Sequence, residues 1–160
     1  MKNDSDMALI RMSLGGDARA FEQLIDRHYM PVYRISYKWC GVKEDAEDIT
    51  QDVFVKLAQR LKAFGRKSSF KTWLYRITIN SAKDHVRKRT AKSTYETAFA
   101  LEQHSKNQMP TPEEHLLATR VFTEIDKLPE KQKAAVILVF GEGLSHKEAA
   151  SISNCSETTI

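Results

Sequence analysis

One helical repeat between Lys43 and Leu61 restricts what this chain can fold into. Its apolar residues are spaced at i, i+3, i+7, i+11 and i+15, and they are Ala46, Ile49, Val53, Leu57 and Leu61. Because an α-helix turns by about 100° per residue, this spacing places the apolar side chains in one narrow stripe. We therefore predict an α-helix from Lys43 to Leu61 that packs on other helices through that stripe.

The same periodicity recurs along most of the chain and predicts an all-α fold. We expect a short helix from Asp4 to Leu14, a longer one between its N-cap Asp17 and Gly41, and a basic helix that continues to about Arg89. Pro31 should kink the longer helix or divide it. Only six Gly and four Pro among 160 residues leave room for such helices. The aromatic residues of the longer helix are expected to lie mostly in the core: Phe21, Tyr29, Tyr33 and Trp39.

Residues 93–111 differ in composition from the segments around them. They carry Ser, Thr and Gln with one Lys and one Asn, lack an apolar period, and end in Met-Pro-Thr before Pro112. Such a segment is typical of a flexible linker. We therefore predict two small helical domains, residues 1–92 and residues 112–160, of which the first is a helical bundle.

The second domain ends in the pattern of a helix-turn-helix motif. Ser145 and Glu148 form a capping box before a short helix, Asn154 can make the turn, and Ser156 can cap a further helix. The second helix of such a motif enters the major groove of DNA. Only its first turn precedes Ile160, so we expect a piece of a longer chain. The residues given should bind DNA through this motif weakly or not at all.

Acidic residues form one face of the helix from Lys43 to Leu61. The segment from Glu44 to Asp52 contains five acids and no Lys or Arg. Asp45, Asp48 and Asp52 line the face that adjoins the apolar stripe; we call this the acidic face. A helix dipole favours acids only near the first turn, and Asp52 lies further along. We therefore expect this face to dock on a basic partner, although a solvated helix face is the simpler alternative.

The basic segment from Phe64 to Lys92 has the opposite charge. It contains nine Lys or Arg and the single acid Asp84, and it begins with a Gly- and Ser-bearing loop, residues 64–69. On the helix after this loop, one side carries Trp73, Arg76, Asn80, Lys83, Asp84 and Arg87, which we call the mixed face. Cations meet phosphates, an amide can bond a base edge, and an aromatic ring can stack on an unpaired base. The mixed face therefore predicts binding to nucleic acid.

Three segments, taken in order, resemble the extracytoplasmic-function sigma factors of bacteria. They read EDAEDITQDVFVKLAQRL, then SFKTWLYRITINSAKDHVRKR, then LPEKQKAAVILVFGEGLSHKEAASISNCSETTI. The resemblance runs from about Asp17 to Ile160, with a gap over the linker. It implies a subunit that directs RNA polymerase to promoters, with the first domain corresponding to sigma region 2 and the second to sigma region 4.

The resemblance also implies roles for individual residues. The family's first domain docks on core RNA polymerase through positions that match Asp45, Glu47, Asp48, Gln51, Asp52 and Phe54. Its next segment melts the −10 promoter element and reads the non-template strand, and one base is flipped into a pocket beside the loop. The matching residues are Phe64, Arg66, Lys67, Ser68, Ser69, Phe70, Lys71, Trp73, Arg76, Asn80, Lys83, Arg87, Lys88 and Arg89. The family reads the −35 element with positions that match Ser156, Glu157, Thr158 and Thr159.

The partners expected from this resemblance are core RNA polymerase, promoter DNA as duplex and as single strand, and an anti-sigma factor. No cofactor, metal or catalytic site is expected, because the two Cys and five His show no ligand spacing and no phosphate-binding Gly loop is present. No apolar run is long enough to cross a membrane, so we expect a cytoplasmic protein without membrane insertion. The alternatives are a stand-alone helix-turn-helix regulator, which would leave the acidic face without a purpose, and an enzyme acting on nucleic acid.

Overall fold

The computed structural model describes residues 2–95 and 112–160. The regular secondary structure of these residues is helical, which confirms the predicted all-α fold. No strand occurs within the described residues. The α-helices are α1 (Lys2–Leu14), α2 (Ala18–Cys40), α3 (Lys43–Arg60), α4 (Phe70–Tyr95), α5 (Pro112–Asp126), α6 (Glu130–Val136) and α7 (His146–Ser153). Short 3₁₀ turns cover Leu61–Ala63 and Glu157–Thr159, and a π-helical turn covers Ile137–Gly141.

The predicted boundaries of α2 and the predicted stripe of α3 are both confirmed. The Asp17 side chain accepts a hydrogen bond from the Ala20 amide at 3.1 Å, and Gly41 adopts a left-handed φ of 71° that ends α2. All apolar residues of the α3 stripe are buried. Pro31 does not divide α2, because buried residues on both sides of it pack on the neighbouring helices and outweigh its low helix propensity.

The aromatic residues of α2 are less buried than the sequence predicts. Trp39 lies in the core, whereas Tyr29 and Tyr37 are exposed. The rings of Tyr29, Tyr33 and Tyr37 stack along the helix, with successive centroids 6.5 Å and 6.2 Å apart. The core prediction was therefore wrong for Tyr29, whereas Tyr33 and Phe21 are partly buried.

Helix α4 is buried on two stripes, of which the sequence analysis identified one. Phe70, Leu74, Ile77 and Ser81 are buried as predicted. A second buried stripe runs at i, i+3, i+7 and i+10 and consists of Thr72, Tyr75, Ile79 and Ala82. Burial, together with the nearby Glu142 carboxylate of the second half of the chain, raises the pKa of Tyr75 to about 12. This stripe was not predicted, because it is buried only where the two halves of the chain pack together.

Helix α4 also runs further than predicted. It ends at Tyr95 rather than near Arg89, because Thr90 to Tyr95 contain no Gly or Pro that would stop a helix. Residues 93–95 of the predicted linker are therefore helical, and residues 96–111 lie outside the described part of the chain.

The two halves of the chain, α1–α4 and α5–α7, pack against each other. Helix α7 contacts α4, and the π-helical turn Ile137–Gly141 contacts α2. One continuous cluster of buried apolar side chains contains Leu74 and Ile79 from the first half together with Leu138 and Ile152 from the second half. The second half therefore lies beside the mixed face of α4.

Candidate nucleic-acid interface

The mixed face of α4 forms one wall of an open cleft. All of its side chains lie outside the core, as predicted. The cleft has a volume of approximately 420 Å³, and helix α3 supplies its other wall through Lys56 and Arg60. Its lining consists of Lys56, Arg60, Trp73, Arg76, Ile77, Asn80, Ser81, Lys83, Asp84 and Arg87. The predicted mixed face is thus brought together as a single concave surface.

The cleft carries a strong positive charge. Cations line both walls, and Asp84 is the acid among the lining residues. The Lys56 ammonium donates a hydrogen bond to Ser81 Oγ at 2.9 Å and lies 2.7 Å from the Asp52 carboxylate, so it is held across the gap between α3 and α4. Cations fixed along a cleft attract a polyanion and track its phosphates.

Sequence reasoning missed Lys56 and Arg60, which it assigned to no surface. A usable signal existed, since the two residues are four apart on α3 and therefore share a face. Their position opposite α4 depends on how the two helices pack, which a single helical repeat does not specify.

Trp73, which lines the cleft, belongs to a cluster of three aromatic rings at the point where the loop joins α4. The ring centroids of Phe64 and Trp73 lie 5.1 Å apart with an interplanar angle of 41°. Phe70 contacts both, at 5.6 Å from Phe64 and 6.0 Å from Trp73. Phe70 is only 1% exposed, so its assignment to direct DNA contact is corrected: it supports the other two rings from below. Phe64 and Trp73 are half-buried and keep surface for a stacked base.

The support beneath Phe70 contains a buried polar pair. The edge of the His28 ring lies 5.2 Å from the Phe70 ring, and His28 Nε2 lies 2.9 Å from a carboxylate oxygen of Asp6. The other Asp6 oxygen accepts a hydrogen bond from Arg27 at 2.6 Å. Burial lowers the pKa of His28 even though the nearby Asp6 carboxylate opposes the shift.

The loop before α4 divides into structural and exposed residues. Ser69 Oγ accepts a hydrogen bond from the Thr72 amide at 3.1 Å and thereby caps the start of α4. Arg66 has a positive φ of 53°, and both Arg66 and Lys67 are exposed at the tip. The Ser68 hydroxyl lies 3.4 Å from the carbonyl oxygen of Ser69. Ser69 therefore organises the loop, while Arg66 and Lys67 face solvent.

Several predicted DNA-binding cations have partners within the chain. Arg76 donates to the Ser151 carbonyl, and both Lys83 and Arg87 pair with Glu130. The Lys71 ammonium lies 5.5 Å from the centroid of the Tyr75 ring. Arg89 pairs with Asp45, and Lys88 is exposed.

The acidic face of α3 is exposed at its centre. Asp48, Gln51 and Asp52 are exposed and lie within one turn of each other. Val55 belongs to the same patch and is 55% exposed, which is unusual for a valine beside a buried stripe. Sequence reasoning missed Val55, although its spacing of i+4 from Gln51 and i+7 from Asp48 could have identified it. An apolar residue among acids gives the patch both charge and a surface that favours burial.

Three residues predicted to dock on polymerase have other contacts. Asp45 accepts a hydrogen bond from His85 at 3.1 Å and pairs with Arg89, which ties α3 to α4. Phe54 is only 8% exposed, and its ring stacks on Tyr29 with centroids 6.0 Å apart, so we reassign it to the core. Glu47 lies 3.9 Å from Lys43 in an exposed pair. The acidic face therefore presents fewer residues to a binding partner than the sequence predicts.

The predicted turn of the second half has the expected geometry. The Ser145 hydroxyl accepts from the Glu148 amide at 3.2 Å, and Glu148 accepts from the Ser145 amide at 2.9 Å, which completes the capping box. Asn154 adopts a left-handed φ of 53°. Ser156, Glu157, Thr158 and Thr159 are all exposed, and a 3₁₀ turn, Glu157–Thr159, begins directly after Ser156. The Ser156 side chain makes no capping hydrogen bond to this turn, so the prediction that it caps a further helix was wrong.

In the part of the chain that the structure describes, no group of three His, Cys, Asp or Glu side chains could hold a metal ion. None of the helices described there combines the length and the apolar character that a membrane span requires.

Two sequence families match this chain, one in each half. Sigma-70 region 2 matches residues 24–92, and Sigma-70 region 4 matches residues 119–160. The ECF RNA polymerase sigma-E factor of Haemophilus influenzae is 30% identical over 166 residues, which cover 98% of this chain and 87% of that protein. The RNA polymerase sigma-H factor of Pseudomonas aeruginosa is 30% identical over 170 residues, which cover 100% of this chain and 88% of that protein.

Two solved structures share the fold. CnrH in complex with the cytosolic domain of CnrY has a TM-score of 0.70 and 26% identity, and the match covers 96% of this chain and 86% of CnrH. The sigma factor RpoE from Bartonella quintana, in complex with the anti-sigma factor NepR, has a TM-score of 0.65 and 21% identity, and the match covers 89% of this chain and 88% of RpoE.

Proposed function

This chain belongs to the extracytoplasmic-function sigma factors of RNA polymerase, and we propose that it docks on polymerase through α3 and reads unpaired promoter DNA through α4. The first half contains sigma region 2 and the second half contains sigma region 4. The observation that carries the proposal is the position of two oppositely charged surfaces on adjacent, packed helices. The basic surface can bind a polyanion while the acidic surface binds a basic protein partner.

The docking surface that we propose is centred on Asp48, Gln51, Asp52 and Val55. Their exposure on one face of α3 supports this choice. Asp45 supports docking indirectly, because its pairs with His85 and Arg89 hold α3 in position against α4. Glu47 extends the charge at the edge of the surface, and the buried Phe54 supports it from the core.

The reading surface that we propose consists of the cleft and the loop. Phe64 and Trp73 offer rings for a base that has left the stack, and Asn80 offers an amide for its hydrogen-bonding edge. The cleft cations neutralise the backbone phosphates on either side, joined by Arg66 and Lys67 of the loop. Binding of an unpaired strand in this cleft favours the melted form of the duplex, so no catalytic group or cofactor is needed.

We assign recognition of the −35 element to the exposed turn after Asn154. Ser156, Glu157, Thr158 and Thr159 are the residues that this turn presents to solvent. Hydroxyl side chains can bond phosphates or base edges in a major groove, and a carboxylate can accept a hydrogen bond from the amino group of a cytosine.

We further propose that an anti-sigma factor controls this chain in the cytoplasm, where it meets polymerase. Both solved structures named above are complexes, one with the cytosolic domain of CnrY and the other with the anti-sigma factor NepR. An inhibitor of this kind can act by covering the exposed acidic face or the basic cleft, since each is needed for a separate step.

Co-elution with core polymerase tests the docking surface. Asp48→Lys places a cation at the centre of the acidic face and is expected to abolish co-elution, because like charges across an interface cost several kcal/mol. Asp26→Lys makes the same charge change at an exposed position of α2 and serves as the matched control. Retained binding of Asp48→Lys, or equal loss in both variants, would contradict the assignment.

A further inference from the structure

The second half of the chain is fastened to the first half through Glu142. This glutamate accepts a hydrogen bond from Lys38 at 2.9 Å and pairs with Arg34 at 3.3 Å, and its side chain is only 5% exposed. Lys38 also donates to the carbonyl oxygen of Gly141 at 2.8 Å. A side chain added at Gly141 would begin 3.0 Å from the Lys38 ammonium, so a glycine permits this close approach. These contacts lie outside the cleft.

A second set of contacts involves the mixed face itself. Both carboxylate oxygens of Glu130 accept hydrogen bonds from Arg87, at 3.0 Å and 2.9 Å, and Glu130 also lies 3.8 Å from the Lys83 ammonium. Further along α4, Arg76 donates to the carbonyl oxygen of Ser151 at 2.7 Å. Three cations that line the cleft are therefore occupied by oxygen atoms of α6 and α7.

A lysine and a tryptophan lie between these two sets of contacts. The Lys133 ammonium of α6 lies 4.7 Å from the centroid of the Trp39 ring, and Lys133 is only 7% exposed. The Lys83 ammonium lies 5.9 Å from the same ring. Lys133 also pairs with Asp126 at 2.5 Å within the second half. Two cations beside one indole therefore add polar contacts to the apolar core that the two halves share.

We propose that the second half is an intramolecular competitor of DNA, in which Glu130 and the Ser151 carbonyl occupy the positions of phosphate oxygens on Arg87, Lys83 and Arg76. The inference rests on the proposed reading surface and adds a mode of regulation to it. A carboxylate that accepts two hydrogen bonds from one guanidinium makes the same contact that a phosphate makes. DNA and the second half then exclude each other at the cleft, so binding of either one weakens binding of the other.

We call the contacts of Glu130 and the Ser151 carbonyl with the α4 cations the latch. The strength of the latch determines how far the second half weakens DNA binding. Glu130 and Arg87 are both substantially exposed, and exposed ion pairs contribute little because water screens them. Only molecules in which the second half has left the cleft can bind DNA, so the apparent affinity is proportional to the fraction of such open molecules. Loss of Glu130 alone should therefore tighten DNA binding by about two- to fivefold. Combined loss of Glu130 and Glu142 should tighten it by about tenfold if the two contributions add.

Fluorescence anisotropy with a random-sequence single-stranded oligonucleotide measures this competition in the full chain. The variants are Glu130→Gln and Glu130→Gln with Glu142→Gln, which keep the side-chain shape and remove the charge. Glu124→Gln is the matched control, because Glu124 pairs with Lys127 of its own half and the variant loses the same charge. A larger gain for Glu130→Gln than for Glu124→Gln supports the latch. Equal affinities of these two variants, with DNA binding intact, would overturn it.

Energy transfer between labels on the two halves measures closure without DNA. Cysteines placed at the exposed Lys62 and Lys147 accept the labels after Cys155→Ser. Burial raises the pKa of the Cys40 thiol to about 11, so it stays largely unreactive near neutral pH. Transfer should fall in the double variant and on addition of the oligonucleotide; unchanged transfer in the double variant overturns the latch. Lowered transfer without DNA binding by any variant would instead overturn the proposed reading surface, and the competition with it.

Discussion

Replacing Phe70 or Trp73 by leucine separates support of the aromatic cluster from contact with DNA. Phe70 is buried and touches the rings of His28, Phe64 and Trp73, so Phe70→Leu removes several ring contacts at almost unchanged apolar character. Each aromatic pair contributes about 0.5–1.5 kcal/mol beyond its buried area, and a leucine fills part of the space. We expect Phe70→Leu to lower the free energy of unfolding by about 1–3 kcal/mol.

Trp73→Leu should change the stability of the fold little and weaken the binding of DNA. Its ring is half-buried, so the free energy of unfolding should fall by about 1 kcal/mol or less. Base stacking on an aromatic ring is worth about 1–3 kcal/mol, so affinity for single-stranded DNA should fall by about 5- to 150-fold. Phe70→Leu should change that affinity by less than about twofold.

Urea unfolding and fluorescence anisotropy with a random-sequence single-stranded oligonucleotide give the two quantities. Wild-type protein and both variants are compared at the same salt concentration, because phosphate contacts make the affinity salt-dependent. The reasoning is refuted if the folded Phe70→Leu variant loses as much affinity as Trp73→Leu, since Phe70 would then contact the DNA.

Three further predictions concern the docking surface, the buried histidine and the capping box. Val55→Asp should weaken polymerase binding by about tenfold with unchanged unfolding, because it removes the apolar centre of the docking surface; isothermal titration measures this. The folded pKa of His28 lies below its unfolded value, so its contribution to stability is fully present above about pH 6.5 and falls as the pH drops toward the folded pKa. Urea midpoints should therefore fall on acidification, and less steeply in His28→Leu. Ser145→Ala should cost about 1 kcal/mol in urea unfolding, because the Glu148 amide loses its acceptor.

Local patterns predicted the helices well, because each depends on residues that are close in sequence. The α3 stripe, the Asp17 cap and the Ser145 capping box follow from periodicity and backbone hydrogen bonding, and all are observed. The same holds for the mixed face of α4, where a helical turn of about 100° per residue is enough to group the side chains.

Contacts between helices were not predictable in this way. Phe54 and Phe70 lie beside functional positions in the sequence, yet helix rotation and packing bury both rings. The pairs of Asp45 with Arg89 and of Glu130 with Arg87 join residues far apart along the chain. Which of several exposed acids meets which cation depends on the packing angle of helices, and a single sequence does not encode that angle in any local pattern.

Transcription in vitro tests the central claim most directly. Core polymerase, the full chain and fragmented genomic DNA are incubated together, and the 5′ ends of the transcripts are mapped. We expect defined start sites that share sequence elements near −10 and −35, and their loss with Asp48→Lys or with Trp73→Ala. Defined initiation that persists unchanged in both variants, or that never depends on the chain, would contradict the proposed function.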